Sequence, residues 1–174
     1  MFNLLKKNNN HENRLYNKIL SLSRNKLFYT KYCLSDTFQN RINLIFLHLS
    51  FIFIKLKLQR DSLVYKDFYQ TMFDFSFRKI ELNMREIGHG DMTVNKNMKF
   101  LVKSFYNILF FCENYKVKKK EYKTTFFNEY LKSNIKQKGP NYDNLINYFH
   151  DFQTFCFDLS SDSVLKGKIK FKFN

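Results

Sequence analysis

The segment MREIGHGDMTVNKNMKF, residues 84–100, has the residue types and spacing best suited to recognition or chemistry. Two glycines separated by one residue predict a tight turn with a positive φ angle or a close backbone approach. A carboxylate near a helix N-terminus, as at Asp91, is favoured electrostatically. This pattern is typical of a helix–helix corner, but a polar corner can equally bind a partner, and the sequence leaves both interpretations open. The polar residues and glycines concerned are Arg85, Glu86, Gly88, Gly90, Asp91 and Lys96.

His48 is the histidine whose surroundings suggest a special role, because it lies inside the apolar run Ile42–Ile54. One interpretation is a heme or metal ligand, or a polar contact to a bound segment. The favoured interpretation is a core histidine that is hydrogen-bonded to a neighbour, since buried polar groups normally find partners.

No set of nucleophile and base can be read from the spacing of the other residues, and glycine patterns that bind phosphates or dinucleotides are absent. Cys33, Cys112 and Cys156 lie far apart, which argues against a zinc site and a disulfide framework and favours a reducing compartment. We therefore predict that the chain has no metal site, no cofactor and no small-molecule substrate.

Helices must position these residues, because apolar side chains recur at spacings of three and four along most of the chain. Asp36 followed by Gln39 has the spacing of a capping box. Gly88 is placed to end a helix, and Gly139-Pro140 to interrupt the chain later. The predicted helices are Asp36 to about Leu58, Ser62–Ile87, Asp91 or Thr93 to about Tyr115, a fourth that continues through Leu131, and Tyr142–Leu159. The charged run Lys116–Lys123 is either a connector or the first turn of the fourth helix.

The predicted fold class is therefore all-α, a single compact bundle of about five or six helices over residues 31–174. Residues 1–30 are expected to form a flexible or weakly helical extension, with one amphipathic stretch at Leu15–Leu22. The first ten residues lack the apolar core of a secretory signal and make no convincing transit peptide. Basic and apolar residues alternate over Lys166–Phe171, which predicts a short extended segment.

The run Ile42–Ile54 is about 13 residues long, whereas a membrane-spanning helix needs about 20. Arg41 and Lys55 bracket this run. We therefore predict a central buried helix and no transmembrane segment.

The net charge is +15, from 30 Lys and Arg against 15 Asp and Glu. Such a chain is attracted to ribosomal RNA or to anionic lipid headgroups. The alternative is a solvated surface made lysine-rich by a genome biased toward A+T, since the chain also has 22 Phe and 11 Tyr but no Ala or Trp. Binding to RNA or to the ribosome is therefore one candidate function, and it is the alternative to the function that the family resemblance below implies.

The run Arg85-Glu86-x-Gly88-x-Gly90-Asp91-x-x-Val94-x-Lys96 resembles the R-E-x-G-x-G-D-x-x-V-x-K signature of the ubiquinol–cytochrome c chaperone family. Phe105-Tyr106 follows, as in that family's A-F-Y-G-R segment, but Asn107-Ile108 replaces its Gly-Arg. Asp36-Thr37, Arg41 and Leu47-His48 resemble a D-T-x-x-G-R segment followed by L-H, with Asn40 in place of the glycine. Leu165–Phe171 is similar to the closing L-x-G-x-[VIL]-x-F.

The resemblance implies an assembly chaperone, not an enzyme, that binds newly made cytochrome b and supports assembly of the cytochrome bc1 complex. It implies a protein client, and leaves room for a second assembly factor and for contact with the ribosome or an anionic membrane. The implied location is the bacterial cytoplasm, peripheral to the inner membrane, with the mitochondrial matrix as the alternative. The implied motif residues are Arg41, His48, Arg85, Glu86, Gly88, Gly90, Asp91, Val94, Lys96, Phe105 and Tyr106.

Overall fold

The computed structural model describes residues 2–58, 63–133 and 142–172. Within these ranges the regular structure is helical, apart from one isolated β-bridge between Leu34 and Ser133. The all-α prediction is confirmed. The helices are α1 (Phe2–Ser23), α2 (Leu27–Thr30), α3 (Phe38–Lys57), α4 (Leu63–Glu86), α5 (Asp91–Cys112), a 3-10 turn (Tyr115–Val117), α6 (Lys120–Tyr130), α7 (Tyr142–Asp158) and α8 (Ser161–Leu165).

Helix α3 is the centre of the bundle, as its apolar sequence predicts. Every residue from Ile42 to Ile54 is buried. The helix packs against α1, α4, α5, α7 and α8, so that apolar side chains on all its faces are covered. Within the described residues, no helix combines the length and hydropathy needed to cross a bilayer.

The predicted capping box at Asp36 and Gln39 is wrong. Thr37 is the N-cap of α3, and its side chain accepts a hydrogen bond from the Asn40 N–H at 3.2 Å. Asp36 lies one residue before the N-cap position and instead forms a bidentate salt bridge with Arg41, at 2.6 and 2.8 Å. This contact lowers the pKa of the Asp36 carboxyl. Gln39 donates to the Asn43 side chain rather than reaching back to the helix start.

The remaining helices lie close to their predicted positions. Helix α5 ends at Cys112, before the predicted Tyr115, because Asn114 has a left-handed φ of 55° and a 3-10 turn follows. Helices α4, α6 and α7 match the periodicity within a few residues. Ser62 and the Gly139-Pro140 break lie outside the described residues.

The N-terminal segment is packed more closely than the sequence predicts. A helix, α1, runs from Phe2 to Ser23, and its side chains Leu15, Tyr16 and Ile19 are buried in the core. The helix contacts α3, α4 and α8. The helix is mostly polar, and these three apolar side chains on one face attach it to the core.

The chain after α8 closes the bundle against α1. Over residues 168–172 no helix or strand is formed, and burial alternates, with Ile169 buried between exposed Lys168 and Lys170. Phe171 packs edge-on against Phe152, at 5.1 Å between ring centroids. The predicted extended segment Lys166–Phe171 is wrong at its start, because Lys166 and Gly167 form the turn that ends α8. Over residues 168–172 only the alternating burial agrees with the prediction.

Gly167 is required by the approach of this segment to α1. Its φ is +63°, and a methyl group on its Cα would lie 2.9 Å from both the His11 carbonyl oxygen and the Leu15 amide nitrogen. We predict that Gly167→Ala lowers the free energy of unfolding by about 2–4 kcal/mol, because it adds left-handed strain and pushes α1 away. Urea denaturation at neutral pH measures the change.

The matched control is Gly90→Ala. Gly90 has a φ of −70°, and a methyl group there would meet no atom within 4 Å. Its stability should fall by no more than about 1 kcal/mol, because the loss is limited to the preference for glycine over alanine at the start of α5. Equal losses in the two variants would contradict the close approach at Gly167.

Candidate functional site

The corner between α4 and α5 depends on the backbone freedom of one glycine. Gly88 has a φ of +93°, which favours a residue without a side chain. Its N–H donates to the Arg85 carbonyl at 3.0 Å, and the His89 N–H donates to the Met84 carbonyl at 3.1 Å. These two bonds form a Schellman motif, which satisfies carbonyls at the end of α4. Gly88 therefore ends the helix, as predicted.

Gly90 has no comparable conformational requirement. It is the N-cap of α5, with a ψ of 159°, and no side chain caps this helix. The predicted cap at Asp91 or Thr93 is therefore wrong, because both residues already lie in the first turn. There the Asp91 carboxylate is close to the positive end of the helix dipole.

Arg85 connects the two helices by ion pairs. Its guanidinium contacts Glu81, one turn earlier, at 2.9 Å, and Asp91 across the corner. The side chains of Arg85, Glu81 and Asp91 are 41%, 38% and 80% exposed. Exposed pairs of this kind are screened by water and salt, so they order the corner more than they stabilise the fold. Glu86 and Lys96 are also exposed here.

The other predicted motif residues divide between the core and the surface. Val94 and Phe105 are completely buried, and Phe105 packs against Phe46 and Phe53. Tyr106 is 51% exposed and lies about four turns along α5 from the corner. The structure therefore brings the charged residues together at one corner but places Tyr106 elsewhere.

His48 is a core residue, as the sequence favours. Its Nδ1–H donates to the Leu44 carbonyl, and its Nε2 accepts from the Tyr148 hydroxyl, both at 2.6 Å. The carbonyl can only accept, so these partners fix the neutral tautomer. Complete burial lowers the pKa of His48 to about 4. The imidazole is enclosed and cannot contact a partner on the surface of the folded chain.

Arg41 and Asn40 belong to a polar cluster at the start of α3. Beside the Arg41–Asp36 pair, the fully buried Asn40 donates to the carbonyls of Ser35 and Lys132, both at 2.7 Å. Its Oδ1 accepts from the Lys132 N–H at 2.9 Å. Asn40 therefore joins α3 to the chain that leaves α6.

Asn40 replaces a glycine of the family's D-T-x-x-G-R segment, and Asn107, which replaces the glycine of A-F-Y-G-R, contacts the same part of the chain. Its Nδ2 donates to the Tyr130 hydroxyl at 3.0 Å. Both asparagines thus hold residues 130–132, and neither role is visible in the sequence. The one available signal was the presence of asparagines beside apolar helix faces, which often marks a buried polar contact.

An apolar groove of about 470 Å³ opens where the end of α3, the start of α4 and the end of α5 meet. Its apolar lining comes from Phe53, Ile54, Leu56, Tyr65, Tyr69 and Leu109. Lys57 and Glu113, which form an ion pair at 2.8 Å, also line it, together with Lys66 and Gln70. This mixture of an apolar lining with a few polar groups is typical of binding pockets.

Exposed aromatic side chains extend this groove along α5. Tyr106 packs against Phe73, one turn beyond Tyr69 on α4. Phe110, one turn further along α5, is 70% exposed. The sequence indicates the aromatic excess but not its position, because a concave surface between helices depends on how the helices pack.

The basic run Lys116–Lys123 is partly used by the fold itself. Lys123 is almost fully buried, with its ammonium 4.4 Å from the centre of the Tyr115 ring, and burial lowers its pKa. Lys118 donates to the Glu113 carbonyl, and Lys120 pairs with Asp143 at 2.8 Å. Lys116 and Lys119 are exposed. Only some of the lysines in this run are therefore exposed and without a contact to the fold.

Within the described ranges, no group of three or more His, Cys, Asp or Glu side chains is arranged to hold a metal ion. Burial raises the pKa of the Cys112 and Cys156 thiols, which favours the unreactive protonated form.

Comparisons with known proteins identify the family of this chain and a solved structure with the same fold. A family model described as Ubiquinol-cytochrome C chaperone matches residues 30–171. The crystal structure of the Cbp3 homolog from Brucella abortus is similar over 98% of this chain and 93% of that chain, with a TM-score of 0.79 and 20% sequence identity. No significant match was found among curated proteins.

The buried His48 makes stability depend on pH. Its pKa is about 4 in the folded chain and about 6.5 when unfolded, so the unfolded chain takes up the proton first as the pH falls. The contribution is complete above about pH 6.5, and about 3 kcal/mol of unfolding free energy should be lost as the pH falls to about 4. Urea denaturation at several pH values measures this loss.

His48→Gln serves as the comparison, because the carboxylates titrate equally in both proteins. The variant should be less stable at pH 7, but its stability should decrease less between pH 6.5 and pH 4. Parallel pH profiles for the two proteins would show that His48 is not the neutral core residue described above.

Proposed function

We infer the function from one premise: the chain belongs to the ubiquinol–cytochrome C chaperone family. We propose that it is an assembly chaperone for the ubiquinol–cytochrome c reductase (bc1) complex and not an enzyme. Its client is newly made cytochrome b, held as an apolar segment until heme or further subunits arrive. A second assembly factor can share the exposed surface that remains.

The observation that carries this proposal is the groove between α3, α4 and α5. Its apolar lining suits an apolar client segment, because contact there removes hydrocarbon surface from water. Tyr65, Tyr69 and Tyr106 provide rigid aromatic contact area, which interfaces favour. Lys66 and the Lys57–Glu113 pair provide polar groups at the same groove.

The α4–α5 corner is proposed as a second contact, for the client or for the second assembly factor. Its charged groups are ordered by Arg85 but contribute little to the stability of the fold. Gly90 adds a short stretch of backbone without a side chain, which a partner can approach closely.

The client prediction is tested by purifying the tagged chain in mild detergent from a host that assembles a bc1 complex. Tyr65→Gln with Leu109→Gln makes two half-buried groove side chains polar while keeping helix propensity. Recovery of cytochrome b, measured by mass spectrometry, should fall by at least about tenfold, since anchors in an apolar pocket dominate such contacts.

The control is Leu82→Gln with Phe100→Gln, which removes two exposed apolar side chains from the same helices outside the groove. This variant should recover cytochrome b like the parent chain.

A third variant, Arg85→Ser, Asp91→Asn and Lys96→Gln, tests the proposed contact at the α4–α5 corner. If that chain is stable and the bc1 complex still matures normally, the corner has no recognition role.

RNA binding is the alternative function, and the net charge of +15 is the observation that favours it. The same purification separates the two functions. Ribosomal proteins recovered without cytochrome b, and lost after nuclease treatment, would support RNA binding. RNA affinity would then fall steeply with salt, because phosphate contacts release counterions.

We further propose that the chain works at the surface of a membrane, as a peripheral protein of the bacterial cytoplasm or, alternatively, of the mitochondrial matrix. The end of the bundle beside the groove exposes four apolar side chains: Leu58, Leu63, Val64 and Val117. Exposed lysines lie among them: Lys57, Lys66, Lys116 and Lys119. Apolar side chains among lysines suit an interface of anionic lipids.

Vesicle sedimentation tests this surface. The chain should bind phosphatidylcholine vesicles that contain phosphatidylglycerol, and binding should weaken with salt and with Leu63→Ser combined with Val117→Ser. The control, Ile87→Ser with Met92→Ser, removes two equally exposed apolar residues at the opposite end of α4, roughly 35 Å away. Equal binding by both variants would contradict a lipid contact at the groove end.

A further inference from the structure

A second cavity, of about 320 Å³, lies between α1, the start of α4 and α8. It shares no lining residue with the groove. The side chains that matter are His11 and Glu12 from α1, Val64, Asp67 and Phe68 from α4, and Leu165 from α8.

Glu12 is the unusual residue of this cavity. Glu12 is only 2% exposed, and its Oε2 atom is buried without a hydrogen-bond partner among the described residues. Nδ1 of His11 and the hydroxyl of Tyr16, on the same helix, are also buried and unpaired there. Buried polar atoms are normally satisfied, and two of these three, on His11 and Glu12, belong to residues that line the cavity, which points to a ligand there. Burial also raises the pKa of the Glu12 carboxyl.

The walls of the cavity are suited to a long basic side chain. Val64, Phe68 and Leu165 offer apolar contact for methylene groups, and Glu12 offers an acceptor at the buried wall. Asp67 is exposed and adds a second carboxylate at the rim. Two carboxylates at one cavity are notable in a chain with twice as many basic as acidic residues.

The position of this wall is fixed by the backbone. Gly167 brings the chain after α8 against His11 and Leu15, so that α1 cannot withdraw from α8 without losing that contact. The backbone that carries Glu12 is therefore held in place before any ligand arrives, which reduces the cost of ordering on binding.

We propose that this cavity binds one organic cation with several N–H donors, a guanidinium or ammonium group on an alkyl chain. Glu12 Oε2 accepts from the cation inside the cavity, and the Asp67 carboxylate pairs with it at the rim. The source is either an arginine or lysine side chain of a partner protein or a free alkyl amine. The site stands independently of the cytochrome b proposal, because it uses neither the groove nor the corner.

The test titrates the full chain with Nα-acetyl-arginine methylamide, which presents the side chain as a protein does. Saturable shifts of the His11 imidazole resonances in NMR are expected, with a dissociation constant of about a millimolar for so small a ligand. The uncharged analogue Nα-acetyl-citrulline methylamide should bind at least about tenfold more weakly.

A second titration, with putrescine, distinguishes the two possible sources of the cation. Tighter binding of capped arginine indicates a partner side chain, and tighter binding of putrescine indicates a free amine.

Glu12→Gln and Asp67→Asn keep the size of each side chain and should each weaken binding of the cation, the first by at least about tenfold. Asp74→Asn is the matched control, because Asp74 is exposed on the same helix and does not line the cavity. The proposal is overturned if neither cation shifts His11, if citrulline binds as well as arginine, or if folded Glu12→Gln binds like the parent chain.

Discussion

The structure depends on the need to cover α3. A helix that is apolar on every side is stable in water only when other elements enclose it, because each exposed methylene costs about 0.8 kcal/mol. Helices α1, α4, α5 and α7 each supply one apolar face to this purpose. The short α8 also contacts α3, and the chain after it packs on α7 through Phe171. The arrangement of the bundle follows from enclosing this one helix.

Buried polar groups on α3 then select one arrangement among the ways in which apolar faces could pack. Asn40 bonds to Lys132, Asn43 donates to the Tyr130 carbonyl at 2.6 Å, and His48 bonds to Tyr148. A displacement of α6 or α7 along α3 would leave these groups unpaired in the core, at a cost of about 1–3 kcal/mol each. Apolar contact alone tolerates such displacement more readily. The polar contacts therefore set the register of the bundle.

This division explains which features the sequence could predict. Helix positions follow from the spacing of apolar residues, as in α5. The central role of α3 follows from the run Ile42–Ile54, which is apolar on nearly every side. Both patterns are local in the sequence. The cap of α3 depends on which of two neighbouring residues, Asp36 or Thr37, lies at the helix boundary. Thr37 does, and Asp36 pairs with Arg41 instead. The contacts of Asn40 and Asn107 with residues 130–132 join positions far apart in the sequence. No local pattern contains that information, and the same holds for the groove and for the cavity at Glu12.

The segment around the α4–α5 corner separates the needs of the fold from the needs of a partner. Gly88, Val94 and Phe105 are explained by the fold alone, through a left-handed turn and complete burial. Gly90, Lys96 and Tyr106 are not, because each could be replaced without a clash, a cavity or an unpaired buried group. The exposed set is therefore available to a partner, which is what the proposed recognition role of this corner requires. Tyr106 packs on Phe73 of α4, about four turns from the corner, so it belongs to a separate part of the exposed surface.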